Sequence, residues 1–391
     1  MKKKIAIVLS ASLLLLSVLT GCGNSTGGGK TSQGAASDVI KIGVMESLTG
    51  ANAGGGELEK KGIELAHKLY PEVNGKKIEL IVDDNKSDKV EAATVATRLV
   101  DNVKVSAIIG SYGSSLSMAA GSIVKAAKVP AVGPSPTNPL VTQGNEFYFR
   151  VCFIDPFQGK VMADYAYNKL GARKVAVIQE ISNDYAVGLA RFFQDEFKKL
   201  TGDPNSIITV SNYNTGDQDF SAQLTNIQSK KPDVIFAPGN FTESALLIKQ
   251  ARQLGIKTQF LGGDSWETPD FLSVGGKSVE GATFSTHFAP EKAVTAESTK
   301  FIDAYKKEYN EAPSAFSALG YDAYLIVYQA MQKAGSAEPV KIQQTLLATK
   351  DFQGATGVIN FDENRNAIKG AYIKTVKDGK FQFLDYVAPS K

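Results

Sequence analysis

The 391-residue sequence has few of the residues that metal centres and nucleophilic catalysis depend on. It contains two cysteines, two histidines and one tryptophan, and no CxxC or HxxxH spacing occurs. A metal centre and a histidine-activated nucleophile are therefore not expected. The motifs GxxxxGK[ST], GxGxxG and GxSxG are also missing from the strand–turn–helix settings where they act. The sequence thus predicts a protein without a metal or another cofactor, and not an enzyme.

The sequence also lacks a large excess of either positive or negative charge. Lysine and arginine number 43 against 40 aspartates and glutamates, which gives a formal net charge of +3. Three of the lysines lie at positions 2–4, in a segment that has the features of a cleaved signal. The mature chain would therefore be close to neutral, and no nucleic-acid partner is expected.

The N-terminal segment combines these lysines with an apolar run over residues 5–19, as in a signal peptide. It ends in the tetrapeptide LTGC, which resembles the lipobox of bacterial lipoproteins and implies lipid on Cys22. The alternative is an ordinary secretory signal with a chance cysteine. We expect residues 1–21 to be a signal peptide and residues 22–38 a lipidated cysteine and flexible tether. Cys152 would then have no disulfide partner and is expected to be a buried thiol.

Beyond residue 38, strand-like apolar runs alternate with helical patterns, twice over. In the first half, strands are predicted at 39–45, 77–83, 105–109 and 130–132, and helices at 57–70, 89–103 and 115–128. In the second half, strands are predicted at 174–179, 207–213, 234–237 and 259–261, and helices at 156–170, 184–200, 220–229 and 242–254. A less regular end follows, with strands at 282–286, 358–361, 371–376 and 381–386, and helices at 296–309, 314–334 and 340–348. This repetition predicts an α/β protein with two doubly wound lobes.

The strand-end turns of the first half are rich in glycine and hydroxyl groups. Gly110 and Gly113 allow close backbone approach, and Ser114 and Ser115 stand where a helix N-terminus leaves N–H groups unpaired. Thr137 adds a hydroxyl in the next turn. Such turns lie at the carboxyl ends of parallel strands and can bind an anion. The alternative is that one serine is only a helix N-cap.

The corresponding turns of the second half carry an acid and aromatic rings instead. They contain Tyr185, Phe241, Asp264 and Trp266. An anion-binding turn that faces an acidic turn suits a zwitterion, and we expect Tyr185 and Trp266 to lie beside the body of the ligand.

Several short segments resemble one known family in their order and spacing. They are KIGV at 41–44, LTG at 48–50, VDD at 82–84, IGS at 109–111, PSPTNP at 134–139, NDYAVG at 183–188, QAR at 250–252 and GGD at 262–264. The chain from about residue 39 to 386 is similar to the leucine/isoleucine/valine-type amino-acid-binding proteins of ABC importers. The resemblance implies the type I periplasmic-binding-protein fold, with two Rossmann-like lobes joined by a three-segment hinge. Lobe 1 would comprise residues 38–156 plus 286–362, and lobe 2 residues 157–285 plus 363–391.

The resemblance also implies roles for individual residues. Ser114 and Thr137 would hold the ligand carboxylate, together with backbone from the turn at residues 135–136. Tyr185 would close over the ligand, and Asp264 would take its α-ammonium. The complete expected ligand-binding set is Ser114, Ser115, Ser135, Pro136, Thr137, Tyr185, Asn240, Asp264 and Trp266.

Two departures from the family pattern leave the ligand's side chain open. Gly54, Gly55 and Gly56 stand where family members can carry a large aromatic residue, and Asn240 and Phe241 stand where an aromatic pair can line the second lobe.

The implied function is that of an extracytoplasmic lipoprotein, anchored to the cell membrane by its lipid. It would bind an amino acid, branched-chain or otherwise apolar, as a monomer and deliver it to ABC permease subunits with their ATPase. The alternatives are a ligand-sensing receptor module of the same fold and a doubly wound enzyme.

Overall fold

The computed structural model describes residues 39–389. The predicted signal peptide, Cys22 and the whole of the predicted tether lie outside the described residues. Among residues 39–389, no helix is long and apolar enough to cross a membrane. Within the same range, Cys152 is buried and has no disulfide partner.

The first lobe begins with a sheet that is mostly parallel. Its strands are β1 (Val39–Glu46), β2 (Glu72–Val73), β3 (Lys76–Asp84), β4 (Ala107–Gly110), β5 (Ala131–Gly133) and β6 (Tyr148–Arg150). Their order across the sheet is β2-β3-β1-β4-β5-β6, and β2 alone among them pairs antiparallel. The helices between them are α1 (Ala53–Leu69), α2 (Lys89–Thr97) and α3 (Ser114–Ala127).

The second lobe repeats this arrangement. Its helices are α4 (Asp155–Asp164), α5 (Asp184–Thr201), α6 (Ser221–Lys230), α7 (Phe241–Gln253) and α8 (Pro269–Gly275), and its first strands are β7 (Val175–Glu180), β8 (Ile207–Tyr213), β9 (Val234–Phe236), β10 (Gln259–Gly262) and β11 (Thr283–Thr286).

The chain then returns to the first lobe with α9 (Ala296–Tyr309), α10 (Ala315–Ala334), α11 (Pro339–Leu347), β12 (Phe352–Gly354), β13 (Gly357–Phe361) and β14 (Ala367–Ile368). Helix α10 packs along α1, and β12, β13 and β14 form a small separate sheet. It ends in the second lobe with β15 (Ala371–Lys377) and β16 (Lys380–Val387). The second sheet has the order β16-β15-β11-β10-β9-β7-β8.

The parallel strands are buried on both faces because alternate residues enter two different cores. In β4, Ile109 packs into the core that also contains α10, whereas Ile108 packs into the core beneath α2 and α3. The apolar runs from which these strands were predicted therefore lack a polar face because both faces of the strands are buried. The α/β class and the two doubly wound lobes are confirmed.

Some elements differ from the sequence-based expectation. Helix α1 begins at Ala53, four residues before its predicted start, because the three consecutive glycines are helical here despite their low propensity. Helices α2 and α4 are shorter than predicted and continue as π-helical turns, Arg98–Val103 and Tyr165–Lys169. The short strands β2, β6, β12 and β14 and helix α8 were not predicted.

Three segments connect the lobes. They run between β6 and α4, between β11 and α9, and between β14 and β15. Phe153 in the first of these segments stacks on His287 in the second, with ring centroids 3.7 Å apart. In the third segment, Lys369 donates through Nζ to the carbonyl oxygen of Val151 at 3.3 Å. The connections therefore contact one another through buried side chains.

Candidate functional site

A cleft lies between the two lobes at the carboxyl ends of their parallel strands. It contains about 680 Å³ of space, part of which is open to solvent. From the first lobe it is lined by Ala51, Asn52, Ser87, Lys89, Tyr112, Gly113, Ser114, Ser115, Leu116, Ser135 and Phe316. From the second lobe it is lined by Glu180, Ser182, Asn183, Tyr185, Thr215, Asn240, Asp264 and Ser265.

The N-terminus of α3 forms the polar wall of the first lobe. The strand before it ends at Gly110, where φ is +133° and a Cβ would lie 2.0 Å from the carbonyl oxygen of Met45, so only glycine fits. The helix is preceded by Gly113, and no side chain caps it there. The hydroxyl of Ser114 accepts a hydrogen bond from the backbone N–H of Asn138 at 3.1 Å. The first turn of α3 therefore presents its positive end and a hydroxyl to the cleft.

Neither predicted serine is a helix N-cap. Ser115 donates through Oγ to Asp184 Oδ2 across the cleft at 2.7 Å. Both serines thus line the cleft, and the alternative that one of them only caps the helix does not hold.

Asp264 is a buried acid in the second-lobe wall of the cleft. It follows β10 and opens a short 3₁₀ turn, and only 3% of its surface is exposed. Its Oδ1 accepts hydrogen bonds from Gln158 Nε2 at 2.7 Å and from the Tyr185 hydroxyl at 2.8 Å, and its Oδ2 lies 2.9 Å from His287 Nε2. Burial, together with the negative charge of Asp264, raises the pKa of Tyr185, so the phenol keeps its proton and remains a donor. The carboxylate is held in place by these groups and lines the cleft.

An apolar wall lies beside these charged groups. The rings of Tyr112 and Phe316 meet edge to face, with centroids 5.1 Å apart, and Leu116 also lines the cleft. A Cβ on Gly55 would lie 2.2 Å from Tyr112 Cε2. The Tyr112 ring therefore packs directly against α1 at Gly55. Any larger residue at position 55 would overlap with the ring.

Glu180 is a second acid at the cleft. Its Oε2 accepts hydrogen bonds from the backbone N–H of Asn240 at 2.8 Å and from Asn183 Nδ2 at 3.1 Å, and its Oε1 accepts one from Thr215. Burial raises the pKa of this carboxyl. Because all three donors come from cleft-lining residues, Glu180 fixes the shape of the second-lobe wall.

The lobes contact each other around the cleft. Lys89 Nζ lies 2.8 Å from Asp184 Oδ2, and Asn138 Nδ2 donates to the carbonyl oxygen of Asp184 at 2.9 Å. Asn240 Nδ2 donates to Asn52 Oδ1 at 2.9 Å. These hydrogen bonds link residues of both lobes, so the arrangement is a closed one. The Lys89–Asp184 pair is largely exposed and contributes little to stability by itself.

The structure brings most of the predicted residues together. Those that line the cleft are Ser114, Ser115, Ser135, Tyr185, Asn240 and Asp264. Pro136 and Thr137 are buried in the turn behind the first-lobe wall, where the carbonyl oxygen of Pro136 accepts a hydrogen bond from Arg150. Trp266 does not lie where it was expected. Its ring is fully buried in the second-lobe core, stacked on Phe271 at a centroid distance of 4.8 Å.

Sequence reasoning missed Tyr112, Phe316, Glu180 and His287. Three of these had a usable signal, since Glu180 ends β7, Tyr112 stands in the turn after β4 and His287 directly follows β11, all at the carboxyl ends of parallel strands. Phe316 had none, because its position depends on how the returning segment packs against the first half of the chain.

Comparison with known proteins gives consistent matches over nearly the whole described chain. A family model described as "Periplasmic binding protein" matches residues 39–380. The Leu/Ile/Val-binding protein homolog 1 of Brucella suis is 28% identical over 355 residues, which cover 88% of this chain and 93% of that protein.

Two solved structures are similar in sequence and in fold. The leucine binding protein LivK of Thermotoga maritima is 43% identical, with a TM-score of 0.86 over 90% of this chain and 99% of that one. The branched-chain amino acid substrate-binding protein LivJ of Streptococcus pneumoniae, in complex with isoleucine, is 36% identical, with a TM-score of 0.84 over 90% of this chain and 100% of that one.

Proposed function

Because the chain belongs to the periplasmic binding protein family, we propose that it captures a branched-chain amino acid between its lobes for an ABC importer. The family is extracytoplasmic, and the similar proteins named above are described as binding leucine, isoleucine or valine. The observation that carries the proposal is the composition of one cleft. A helix N-terminus with hydroxyl groups faces a buried carboxylate across it.

The two walls are complementary to the two charges of an amino acid. The first turn of α3, with Ser114, suits the carboxylate because helix N-termini favour anions. Asp264 suits the α-ammonium, and the apolar surface of Tyr112, Leu116 and Phe316 suits an aliphatic side chain. Ser135 lines the same first-lobe wall, and Thr137 supports it from behind.

Neither wall is sufficient by itself. A hydrogen bond to a charged group contributes about 1.5–3 kcal/mol, whereas micromolar affinity requires about 8 kcal/mol. Contacts with both lobes and burial of the ligand's apolar part are therefore needed. Binding would shift the protein toward the closed arrangement in proportion to the ligand's preference for that arrangement.

Calorimetric titration tests this function with ligands that lack one feature at a time. The protein is first unfolded and refolded to remove co-purified ligand, and is then titrated with leucine, isoleucine and valine. We expect micromolar or tighter binding of at least one of them. Removing the ammonium, as in 4-methylpentanoate, or the carboxylate, as in 3-methylbutylamine, is expected to abolish binding. Equal affinity for leucine and 4-methylpentanoate would overturn the proposal.

The membrane connection belongs to the same proposal. Lipid on Cys22 would hold the receptor close to its permease and ATPase, and the tether at residues 22–38 would raise the local concentration of the loaded protein there. Mass spectrometry of protein extracted from membranes is expected to find a diacylglyceryl group on Cys22 and no residues before it. An intact N-terminus or an unmodified cysteine would contradict the anchor without affecting the ligand assignment.

A further inference from the structure

His287 connects the ammonium-binding acid to the segments that join the lobes. It is the first residue after β11, in the second of the three connecting segments, and its side chain is fully buried. Its Nε2 lies 2.9 Å from Asp264 Oδ2. Its ring also stacks on that of Phe153 in the first connecting segment. The imidazole therefore touches both the carboxylate of the site and the hinge.

The hydrogen bonds around the ring fix its protonation state. The carboxylate of Asp264 is an acceptor, so the proton of the neutral ring belongs on Nε2. Nδ1 is buried and has no hydrogen-bond partner within residues 39–389. A second proton on the ring would therefore bury a positive charge and leave an unpaired donor, and both are costly.

The surrounding charges act in opposite directions. Burial lowers the pKa of His287, whereas the hydrogen bond and charge of Asp264 raise it; the more distant Lys369 lowers it and Glu267 raises it. Burial prevails, and the pKa lies below its usual value of 6.5. At neutral pH the ring is therefore uncharged, and the carboxylate of Asp264 is not neutralised by a neighbouring cation.

On the basis of the proposed function, we infer that His287 is a positioning residue whose neutral ring orients Asp264, and that a proton on His287 competes with the ligand's ammonium for that carboxylate. The ammonium and an imidazolium would place two cations against one acid. Ligand binding must then expel the second proton of His287.

The inference predicts the direction of a pH effect. Above the His287 pKa the ring is already neutral, so affinity for the amino acid is independent of this group. Below that pKa the ligand must displace a proton, and affinity falls by up to about tenfold for each pH unit. Binding in this acidic range should release protons to the buffer.

The test compares three proteins by calorimetry between about pH 5 and about pH 8, a window that spans the ordinary histidine pKa. They are the wild type, His287→Gln, which keeps an N–H donor but does not titrate, and His67→Gln as a matched control. His67 is the other histidine of the sequence and contacts the carbonyl oxygen of Ile78 on the first lobe. Wild type and His67→Gln should lose affinity together on acidification, and His287→Gln should lose less.

The possible results separate the two proposals. If leucine binds but the pH profile of His287→Gln matches that of the wild type, the inference fails and the proposed function stands. If no amino acid binds at neutral pH, both fail.

A second measurement applies if His287→Gln does not fold. Imidazole nitrogen shifts of the histidine-labelled wild type, assigned with His67→Gln, should show the Nε2–H tautomer and a downward shift of the His287 pKa when leucine is added. A titration of His287 that leucine leaves unchanged would overturn the inference.

Discussion

At the scale of single residues, the site depends on buried acids that are held in different ways. Asp264 has three donors around it and lines the cleft, so its charge is available to a ligand. Glu46 and Glu59 lie fully buried in the first lobe, and burial raises the pKa of both. The first acid is positioned to bind a cation, whereas the other two are held largely neutral. Replacing the carboxyl group should therefore weaken ligand binding at Asp264, whereas at Glu46 it should change how stability depends on pH.

Asp264→Asn should weaken leucine binding by about 10- to 150-fold, because a hydrogen bond to a charged group contributes about 1.5–3 kcal/mol. The fold should be preserved, since asparagine is nearly isosteric and the group lines the cleft. Calorimetry gives the affinity and thermal unfolding gives the stability. Asp195→Asn on the exposed side of α5 is the matched control. Unchanged affinity in Asp264→Asn would remove this residue from the site.

Glu46→Gln should change stability in a pH-dependent way. Burial raises the pKa of Glu46 from 4.5 to about 8, so the folded protein retains a proton that the unfolded chain releases. The free energy of unfolding therefore declines as pH rises from 4.5 towards 8, by up to about 1.4 kcal/mol for each unit. Glutamine cannot ionise, and its side-chain oxygen can still accept the backbone N–H of Tyr112, which lies 2.8 Å from Glu46 Oε2.

In thermal unfolding, the stability of Glu46→Gln relative to that of the wild type should therefore increase as the pH is raised from 4.5 towards 8. Glu57→Gln, which changes a partly exposed acid on α1, is the matched control. A stability difference between Glu46→Gln and wild type that stays the same at both ends of the window would contradict the assignment.

At the scale of elements, the cleft is formed by helix N-termini and strand ends that approach closely. The start of α1, the turn after β4 and the first turn of α10 meet around the Tyr112 and Phe316 rings. Gly55 allows this because its missing Cβ leaves room for the Tyr112 ring. The glycine run that departs from the family pattern thus has a packing role at the apolar wall.

Gly55→Ala should push the Tyr112 ring towards the cleft and weaken leucine binding by at least tenfold, because a Cβ there would lie 2.2 Å from the ring. Gly121→Ala in α3 is the control, since its Cβ would make only one ordinary contact, at 3.5 Å from Asn145 Nδ2. Both changes replace a helical glycine and should gain a similar helix propensity of about 0.5–1 kcal/mol. Equal affinities in the two variants would show that the Tyr112 ring does not shape the site.

Much of this architecture was predictable from the sequence because local patterns determine it. The alternating strands and helices, the polar turns at residues 110–115 and the acid at position 264 are all local features, and the family resemblance they supported is confirmed. The position of Trp266 was not predictable. A turn aromatic can point into the cleft or into the core, and the stacked Phe271 and the nearby Phe284 decide between them. The position of Phe316 likewise depends on long-range packing.

At the scale of the whole molecule, the site is shared between the two lobes. Its two walls belong to different lobes, which three connecting segments join. Glu267, three residues after Asp264, accepts hydrogen bonds from Lys374 Nζ at 2.8 Å and from the backbone N–H of Ala315 at the start of α10 at 3.2 Å. The second-lobe turn that carries Asp264 is therefore also bonded to the first lobe.

The central claim is that one amino acid is bound by both lobes at once, through opposite charges. A crystal structure of the protein saturated with leucine tests it most directly. The account predicts the carboxylate at the first turn of α3 beside Ser114 and the ammonium within about 3 Å of an Asp264 carboxylate oxygen. Leucine that contacts one lobe alone, or that lies with its ammonium away from Asp264, would contradict it.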